Sequence, residues 1–361
     1  MIRRNRMALF VASLATVLVA TMACSSATPT AKPTAAPAGA AAAAPSAAPA
    51  APAPTSAAAA AQPATDWPTK PITLIVPWPA GGDTDVPMRV VADYMTKELG
   101  QPVVVKDVEG GAGTTGSRQA KDAKPDGYTL LSIHEHVFIN KALGLVPYDW
   151  DAFEPVAFLI SSPEFMLTEA SQPWNNMKDL IADAKKRPGE ITAGVTFGST
   201  AQMHIEMLQY KAGVKFKEVG YDGTAQRVTA VLGKHLDIGA SPLSSAIAQW
   251  KAKRVKVLGF ASDKRDPRLP DVATYKEQGI DMTWGTDRGL VAPKGTPLPI
   301  ILKIEAAMKK VSENPEFKKK IEDEMGSVVN FMPHDQYAKY LAQSDAEIQK
   351  VIKDTGMTAK Q

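Results

Sequence analysis

Two glycine-rich turns carry the residues with the clearest capacity for chemistry. The first, Pro79-Ala80-Gly81-Gly82-Asp83-Thr84-Asp85, follows the apolar run ITLIVPW and precedes a helical pattern from Val86 to Leu99. The second, Gly110-Gly111-Ala112-Gly113-Thr114-Thr115-Gly116, follows PVVVKD and precedes a helical pattern from Ser117 to Ala123. A glycine-rich strand-to-helix turn leaves backbone N–H groups at a helix start, where they and the helix dipole favour an anion. Two such turns in succession suggest one anionic ligand gripped twice, either a cofactor phosphate or a carboxylate.

Other chemistries compete for the same residues. Gly111 to Gly116 satisfies G-x-G-x-x-G, and Glu135 near the end of the next strand stands where a ribose-binding acid would. That is the alternative of an NAD-dependent enzyme. An earlier strand–turn–helix unit with its own glycine turn has no role in such a domain. Asp83 and Asp85 could form a catalytic carboxylate pair, although Thr84 or Asp85 capping the following helix is the plainer role. His134 and His136, two apart, would face the same way on a strand and could hold a metal beside a carboxylate. No third ligand stands at a recognisable spacing, so a polar strand end is expected, with no metal and no cofactor. Ser199, Ser241, Ser244 and Ser245 lack a G-x-S-x-G elbow, so no hydrolase is indicated.

Short β-rich runs alternate with helical patterns through the middle of the chain, pointing to parallel α/β layers. A third strand–turn–helix unit runs from Ile191 to Lys211 through Phe197-Gly198-Ser199-Thr200, far enough along to sit on a different lobe. The third strand reads YTLLSIH, and Val156 to Ile160 and Phe165 to Thr168 read as two separate strands. Met282 to Ala292 is extended. Helices from Pro297 to Ser312, Pro315 to Met325 and His334 to Thr355 make the C-terminal quarter mostly helical.

The N-terminus bears on the compartment. Arg3, Arg4 and Arg6 precede an apolar run from Met7 to Val19, too short to remain as a comfortable membrane span, which is the pattern of a secretory signal. The run ends at Thr21-Met22-Ala23-Cys24, which resembles a bacterial lipobox with Cys24 as the lipidated first mature residue. The alternative is an ordinary signal peptide with an incidental cysteine. Cys24 is the single cysteine among 361 residues, which excludes disulfides and thiolate chemistry from the folded body. Residues up to Asp66 are nearly all Ala, Pro, Ser and Thr. Such a segment cannot build a core and reads as a tether of about 3 Å per residue where extended. The net charge of +3 is small and no aromatic-basic stripe appears, so no nucleic acid partner is expected.

The segments WPTKPITLIVPWPAGGDTDVPMRVVADYM, GQPVVVKDVEGGAGTTGSRQAKDAKPDGYTLL, VPYDWDAFEPVAFL, LPDVATYKEQGI and GLVAPKGTP resemble the substrate-binding proteins of tripartite tricarboxylate transporters, the Bug receptors. The resemblance runs from Trp67 to about Thr355. It implies an α/β, type II periplasmic-binding-protein fold, with two α/β lobes around a ligand cleft joined by a hinge. It also implies capture of a small organic anion (a di- or tricarboxylate, an aromatic acid or an amino acid) and delivery to the permease subunits of a tripartite transporter. A sensory or scaffold receptor using the same cleft is the alternative. The expected partition is 1–23 signal peptide, 24–66 lipidated tether, 67–165 first lobe, 166–285 second lobe and 286–361 return to the first lobe. The expected product is an exported, lipid-anchored monomer on the outer face of the cytoplasmic membrane, without enzymatic activity.

Carried over onto this chain, the ligand loops are Pro79 to Asp85, with Ala80, Gly81, Gly82, Asp83, Thr84 and Asp85, and Gly110 to Gly116, with Gly113, Thr114, Thr115 and Gly116. The facing lobe should contribute Gly198, Ser199 and Thr200, then Tyr221, Asp222 and the residues to Thr224, and Ser241. His204 stands where the family commonly has histidine, and could orient a ligand or cap packing. His134 would lie near the cleft mouth. Arg288 could fork onto a second ligand carboxylate or make a hinge contact with Asp287. Trp78 and Trp284 could wall the cleft or pack in the core. The family usually has serine at the place of Asp83. An acid there would repel a carboxylate unless it points away or meets a cationic group on the ligand. The facing turn, Gly198-Ser199-Thr200-Ala201, departs from the usual Gly-Ser-Gly-Ser, and the charged His134-Glu135-His136 is unusual.

Overall fold

The computed structural model describes residues 66–358; the expected signal segment, Cys24 and the tether up to residue 65 lie outside them. Alternating units open the described chain: β1 (Ile72–Val76), α1 (Asp85–Leu99), β2 (Val103–Asp107), α2 (Thr114–Lys121), β3 (Thr129–Ile133) and α3 (His136–Ala142). β1 pairs in parallel with β2 on one side and β3 on the other. Its near-continuous burial explains its unbroken apolar run, as expected for a strand covered on both faces. α1 buries Met88, Val91, Ala92 and Met95, one stripe at helical spacing, and stops at Gly100 in the left-handed region (φ 70°).

β4 (Phe153–Glu169) links this half to a second α/β half. That half contains α4 (Met177–Lys186), β5 (Thr192–Val195), α5 (Thr200–Ala212), β6 (Lys217–Gly220), α6 (Thr224–Leu232), β7 (Ile238–Pro242), α7 (Leu243–Lys251) and β8 (Val255–Phe260). The chain returns through β9 (Gly285–Pro293) and ends with α8 (Leu298–Glu313), α9 (Pro315–Lys318), β10 (Val328–Pro333) and α10 (His334–Thr355). Up to Pro163, β4 pairs with β9 and β10; from Glu164 it pairs with β7 and β8. Two α/β halves joined by crossing segments are the type II binding-protein architecture. One core packs Leu74, Met88, Ile304 and Phe317; another, in the second half, packs Trp174, Leu180, Ile205 and Tyr275. No described helix is long and apolar enough to cross a membrane.

Four details differ from the expected elements. Val156 to Ile160 and Phe165 to Thr168 belong to the single strand β4, although Pro163 suggests a break. Proline lacks a donor, and here it stands where the strand exchanges β9 for β7, so no continuous ladder needs its N–H. β10 is an additional strand in the C-terminal quarter; it pairs with β4 through only part of its length and its burial is intermediate, so its pattern is weak. The helix from Pro315 is α-helical only to Lys318 and continues as a π-helical turn over Lys319–Glu324. β3 ends at Ile133, and the chain turns through His134-Glu135 so that His136 opens α3. The two imidazoles still meet, edge to face at 4.3 Å, through this turn rather than through a shared strand face.

His136 is fully buried, with Nε2 3.1 Å from the Ser117 hydroxyl. It fills the space beside Gly113 (φ 90°), where a Cβ would lie 2.7 Å from the ring. Burial pushes its pKa down to about 3. An unfolded histidine takes up a proton near pH 6.5, so below that pH the unfolded chain binds more protons and stability falls. The contribution is intact above pH 6.5 and is lost as pH drops toward 3. Between pH 6.5 and 4.5 the loss from this one group approaches about 2.7 kcal/mol. In urea unfolding at pH 7 and pH 4.5, the parent chain should lose about 2–3 kcal/mol more on acidification than His136→Asn. Equal losses would show that this imidazole titrates freely in the folded state.

Candidate functional site

Three helix starts converge between the two halves. The turn after β1 delivers Gly82 and Asp83 just before α1, Ser199 and Thr200 open α5, and Gly223 and Thr224 open α6. With Trp78, Pro79, His134, Thr196 and Arg227 they line a cavity of about 20 Å³. That volume suits one water-sized group. The halves touch around it: a Cβ on Gly223 would lie 3.0 Å from Pro79, and one on Gly198 would lie 3.3 Å from Ala112. The cleft is therefore closed.

Asp83 is the centre of this junction. One carboxylate oxygen forms an ion pair with Nη2 of Arg288, and the other accepts a 2.6 Å hydrogen bond from the Thr224 hydroxyl of the opposite half. Arg288 is fully buried. Its Nε donates to Thr84 Oγ1 at 3.1 Å, and its Nη1 donates to Ser162 Oγ at 2.7 Å and to the Thr286 carbonyl. The cationic partner that an acid in this turn requires is thus a residue of the chain itself. Asp287 faces elsewhere: its amide donates to Glu135, and its carboxylate accepts from the Tyr340 hydroxyl. Burial, then the neighbouring Asp287 charge, raises the Glu135 pKa well above the usual carboxylate range. Glu135 is therefore occupied at the crossing strands and not at the second glycine turn.

Arg227 lies one turn into α6. Nη1 donates to Thr196 Oγ1 at 2.8 Å and Nη2 to Thr224 Oγ1 at 2.9 Å, while its buried Nε has no hydrogen-bond partner. Burial lowers its pKa from the usual arginine value, and the nearby Asp83 and Glu164 charges act in the opposite direction. Trp78 stacks on His134 with ring centroids 5.3 Å apart, and its buried Nε1 likewise has no partner. Burial, aided by His136 and Arg288, holds the His134 pKa well below the imidazole range, so this wall is neutral at pH 7.

The remaining candidates divide by place. Gly81 lies at the exposed tip of the first turn with Ala80, and its N–H is taken by Asp85 Oδ2 at 2.7 Å. Thr84 occupies the position before α1, yet its hydroxyl accepts from Arg288 rather than capping the helix. The second turn supports the cavity from behind: Gly113 packs under His136 and Trp78, and Gly116 lies against Pro77 and the Val108 carbonyl. Thr114 and Thr115 are not among the residues lining the cavity. Ser199 caps α5, accepting from the Ala201 amide, and the Thr200 carbonyl accepts from Trp284 Nε1 at 3.1 Å. Tyr221 offers its carbonyl to Thr196, and Asp222 is exposed.

His204 and Ser241 lie away from this cavity. Ser241 donates to the Pro242 carbonyl. His204 is fully buried, 2.8 Å from Glu164 through Nδ1 and 2.9 Å from the Tyr275 hydroxyl through Nε2. Tyr275 keeps its proton, its pKa raised well above normal by burial and then by Glu164. Both imidazole nitrogens are thus engaged, Nδ1 by Glu164 and Nε2 by the Tyr275 hydroxyl. Glu164 also accepts from Thr286, so this set knits the second half to the crossing strands. Thr196 and Arg227 had escaped notice in the sequence. An arginine in the first turn of a helix whose other buried face is Thr224, Val228 and Val231 is the signal that could have exposed the second of them. No group of three or more potential metal ligands occurs among the described residues.

A sequence model of the "Tripartite tricarboxylate transporter family receptor" matches residues 87–357. The "UPF0065 protein in gbd 5'region" of Cupriavidus necator is 32% identical over 316 residues, covering 84% of this chain and 94% of its own. Among solved structures, the periplasmic binding protein BugD is similar with TM-score 0.76 and 29% identity, over 81% of this chain and 100% of its own. R. palustris Rpa4515, solved with adipate, is similar with TM-score 0.78 and 25% identity, over 81% of this chain and 99% of its own. With its two halves and its closed cleft of helix starts, the chain belongs to the tripartite tricarboxylate transporter receptor family.

Proposed function

We propose that this protein is an extracytoplasmic solute-binding lipoprotein that captures a small carboxylate in the cleft between its two halves and delivers it to a tripartite tricarboxylate-type permease. The observation that carries this reading is Arg227: a buried guanidinium on the cavity wall, which no ion pair among the described residues meets. A buried cation without a direct ion pair is costly, and an entering carboxylate would relieve that cost. The positive ends of α1, α5 and α6 border the same space and favour the same charge. The adipate held by Rpa4515 is a carboxylate of this kind.

Capture proceeds by hinge motion in this proposal. The halves part around β4 and the segment entering β9, the ligand enters, and closure presents a ligand-bound form to the permease. The partition into 67–165, 166–285 and 286–361 is part of the proposal, as are the 1–23 export signal and the lipidated tether from Cys24. Monomeric action is likewise proposed.

A thermal-shift screen tests the ligand class. At a hundredfold excess over Kd, a ligand adds about 2.7 kcal/mol to stability, enough to raise Tm by roughly 5 °C or more in a body of this size. At least one acid from a panel of mono-, di- and tricarboxylates, aromatic acids and amino acids should do so; a panel without shifts refutes the reading. Arg227→Met should weaken the best acid at least tenfold while far-ultraviolet circular dichroism stays unchanged. Undiminished affinity would place the ligand elsewhere. Cys24→Ser should release the exported protein from washed membranes, and retention of the variant would exclude the lipid anchor.

A further inference from the structure

The chain places one of its own carboxylates where a ligand carboxylate would bind. Asp83 joins a fully buried arginine to the helix start of the opposite half, with Arg288 on one oxygen and Thr224 on the other. Thr224 in turn accepts from Arg227. The junction thus holds two guanidiniums and one directly paired carboxylate, Asp83, while the Glu164 charge acts on Arg227 without bonding to it. Of the two, Arg227 is the guanidinium left without a direct ion pair among the described residues, open to whatever enters.

The unmet hydrogen-bonding capacity points the same way. Arg227 Nε and Trp78 Nε1 are both buried, both without a partner, and both belong to residues lining the cavity. Two N–H donors are what a single carboxylate headgroup accepts. Arg288, by contrast, already directs four of its five N–H groups to Asp83, Thr84, Ser162 and Thr286, and its charge is met by Asp83.

We propose that Asp83 is a specificity-determining residue, a built-in carboxylate that occupies the Arg288 half of the cleft, so that this receptor selects acids carrying one carboxylate, received by Arg227 and Trp78, over dicarboxylates. The proposal rests on the carboxylate reading above and narrows it. A second ligand carboxylate would meet Asp83 at close range, with no cation left to separate them. It would also have to displace a group whose tether keeps its local concentration in the millimolar range or above. Because the cavity of about 20 Å³ admits only a water-sized group, the headgroup enters as the halves part, and Asp83 remains on Arg288.

The test is calorimetric titration at pH 7 with matched pairs: butanoate and succinate, hexanoate and adipate, benzoate and terephthalate. The parent chain should bind the monoacid of at least one pair at least tenfold more tightly than its diacid. Asp83→Ser should reverse that preference by at least tenfold, because Arg288 becomes available. Asp83→Asn retains the shape and an oxygen acceptor for Arg288 while removing the charge, and should move the preference in the same direction if the serine variant folds poorly. Parent and variants sharing one mono-to-diacid ratio, or a parent that prefers the diacid, would overturn the role of Asp83 and leave the carboxylate reading standing. No binding of any of the six acids by parent or variants would overturn the role of Asp83, and the wider thermal-shift panel then decides the carboxylate reading.

Discussion

The ion pair between Asp83 and Arg288, extended through Thr224 to Arg227, is the interaction on which the cleft depends. It joins the turn after β1, the returning strand β9 and the start of α6, three segments far apart in sequence. Arg288 is fully buried, and removing one member of a buried pair leaves an uncompensated charge, at a cost of about 3–5 kcal/mol. The Thr224 bond is weaker in itself, yet it crosses between the halves. The same carboxylate therefore satisfies a buried cation within one half and ties that half to the other.

The frame around this junction is set by β4 and β9. β4 belongs to both halves, and the chain comes back beside it, with the Glu164 amide donating to the Trp284 carbonyl. Glu164 extends the connection into the second core through His204 and Tyr275, and Glu135 binds the Asp287 amide on the other side. These buried polar groups are each satisfied by a stated partner, which favours one geometry for the crossing over neighbouring registers. In the closed cleft the starts of α1, α5 and α6 meet around one cavity.

The turns that border the candidate cavity were legible as a pattern. A glycine turn after an apolar run marks a strand that ends and a helix that begins, so the positions of Asp83, Ser199 and Thr224 at helix starts follow from local chemistry. That the second turn backs the cavity rather than lining it was not legible. Whether Gly113 faces a ligand or a neighbour depends on what packs over it, and His136 arrives from a different element. His204 shows the same limit: on α5 it is one of several polar residues, and only Glu164 and Tyr275, from two other segments, make it part of a polar core. The single strand β4 was hidden for a related reason, since Pro163 signals a break unless the partner strand changes at that point.

The sequence by itself determined the alternating α/β class and the presence of an acid in the first glycine turn, and the two lobes entered as what the family resemblance implies. Periodicity, turn chemistry and residue type are local properties, and they survive without knowledge of contacts. Only the tertiary structure decided what that acid does. Asp83 alone reads as repulsion toward any anion; placed against Arg288 it becomes a neutralised pair, and Arg227 is the cavity guanidinium without a direct ion pair. Electrostatic effect is set by distance and burial between residues remote in the chain, and neither can be read along a line of amino acids.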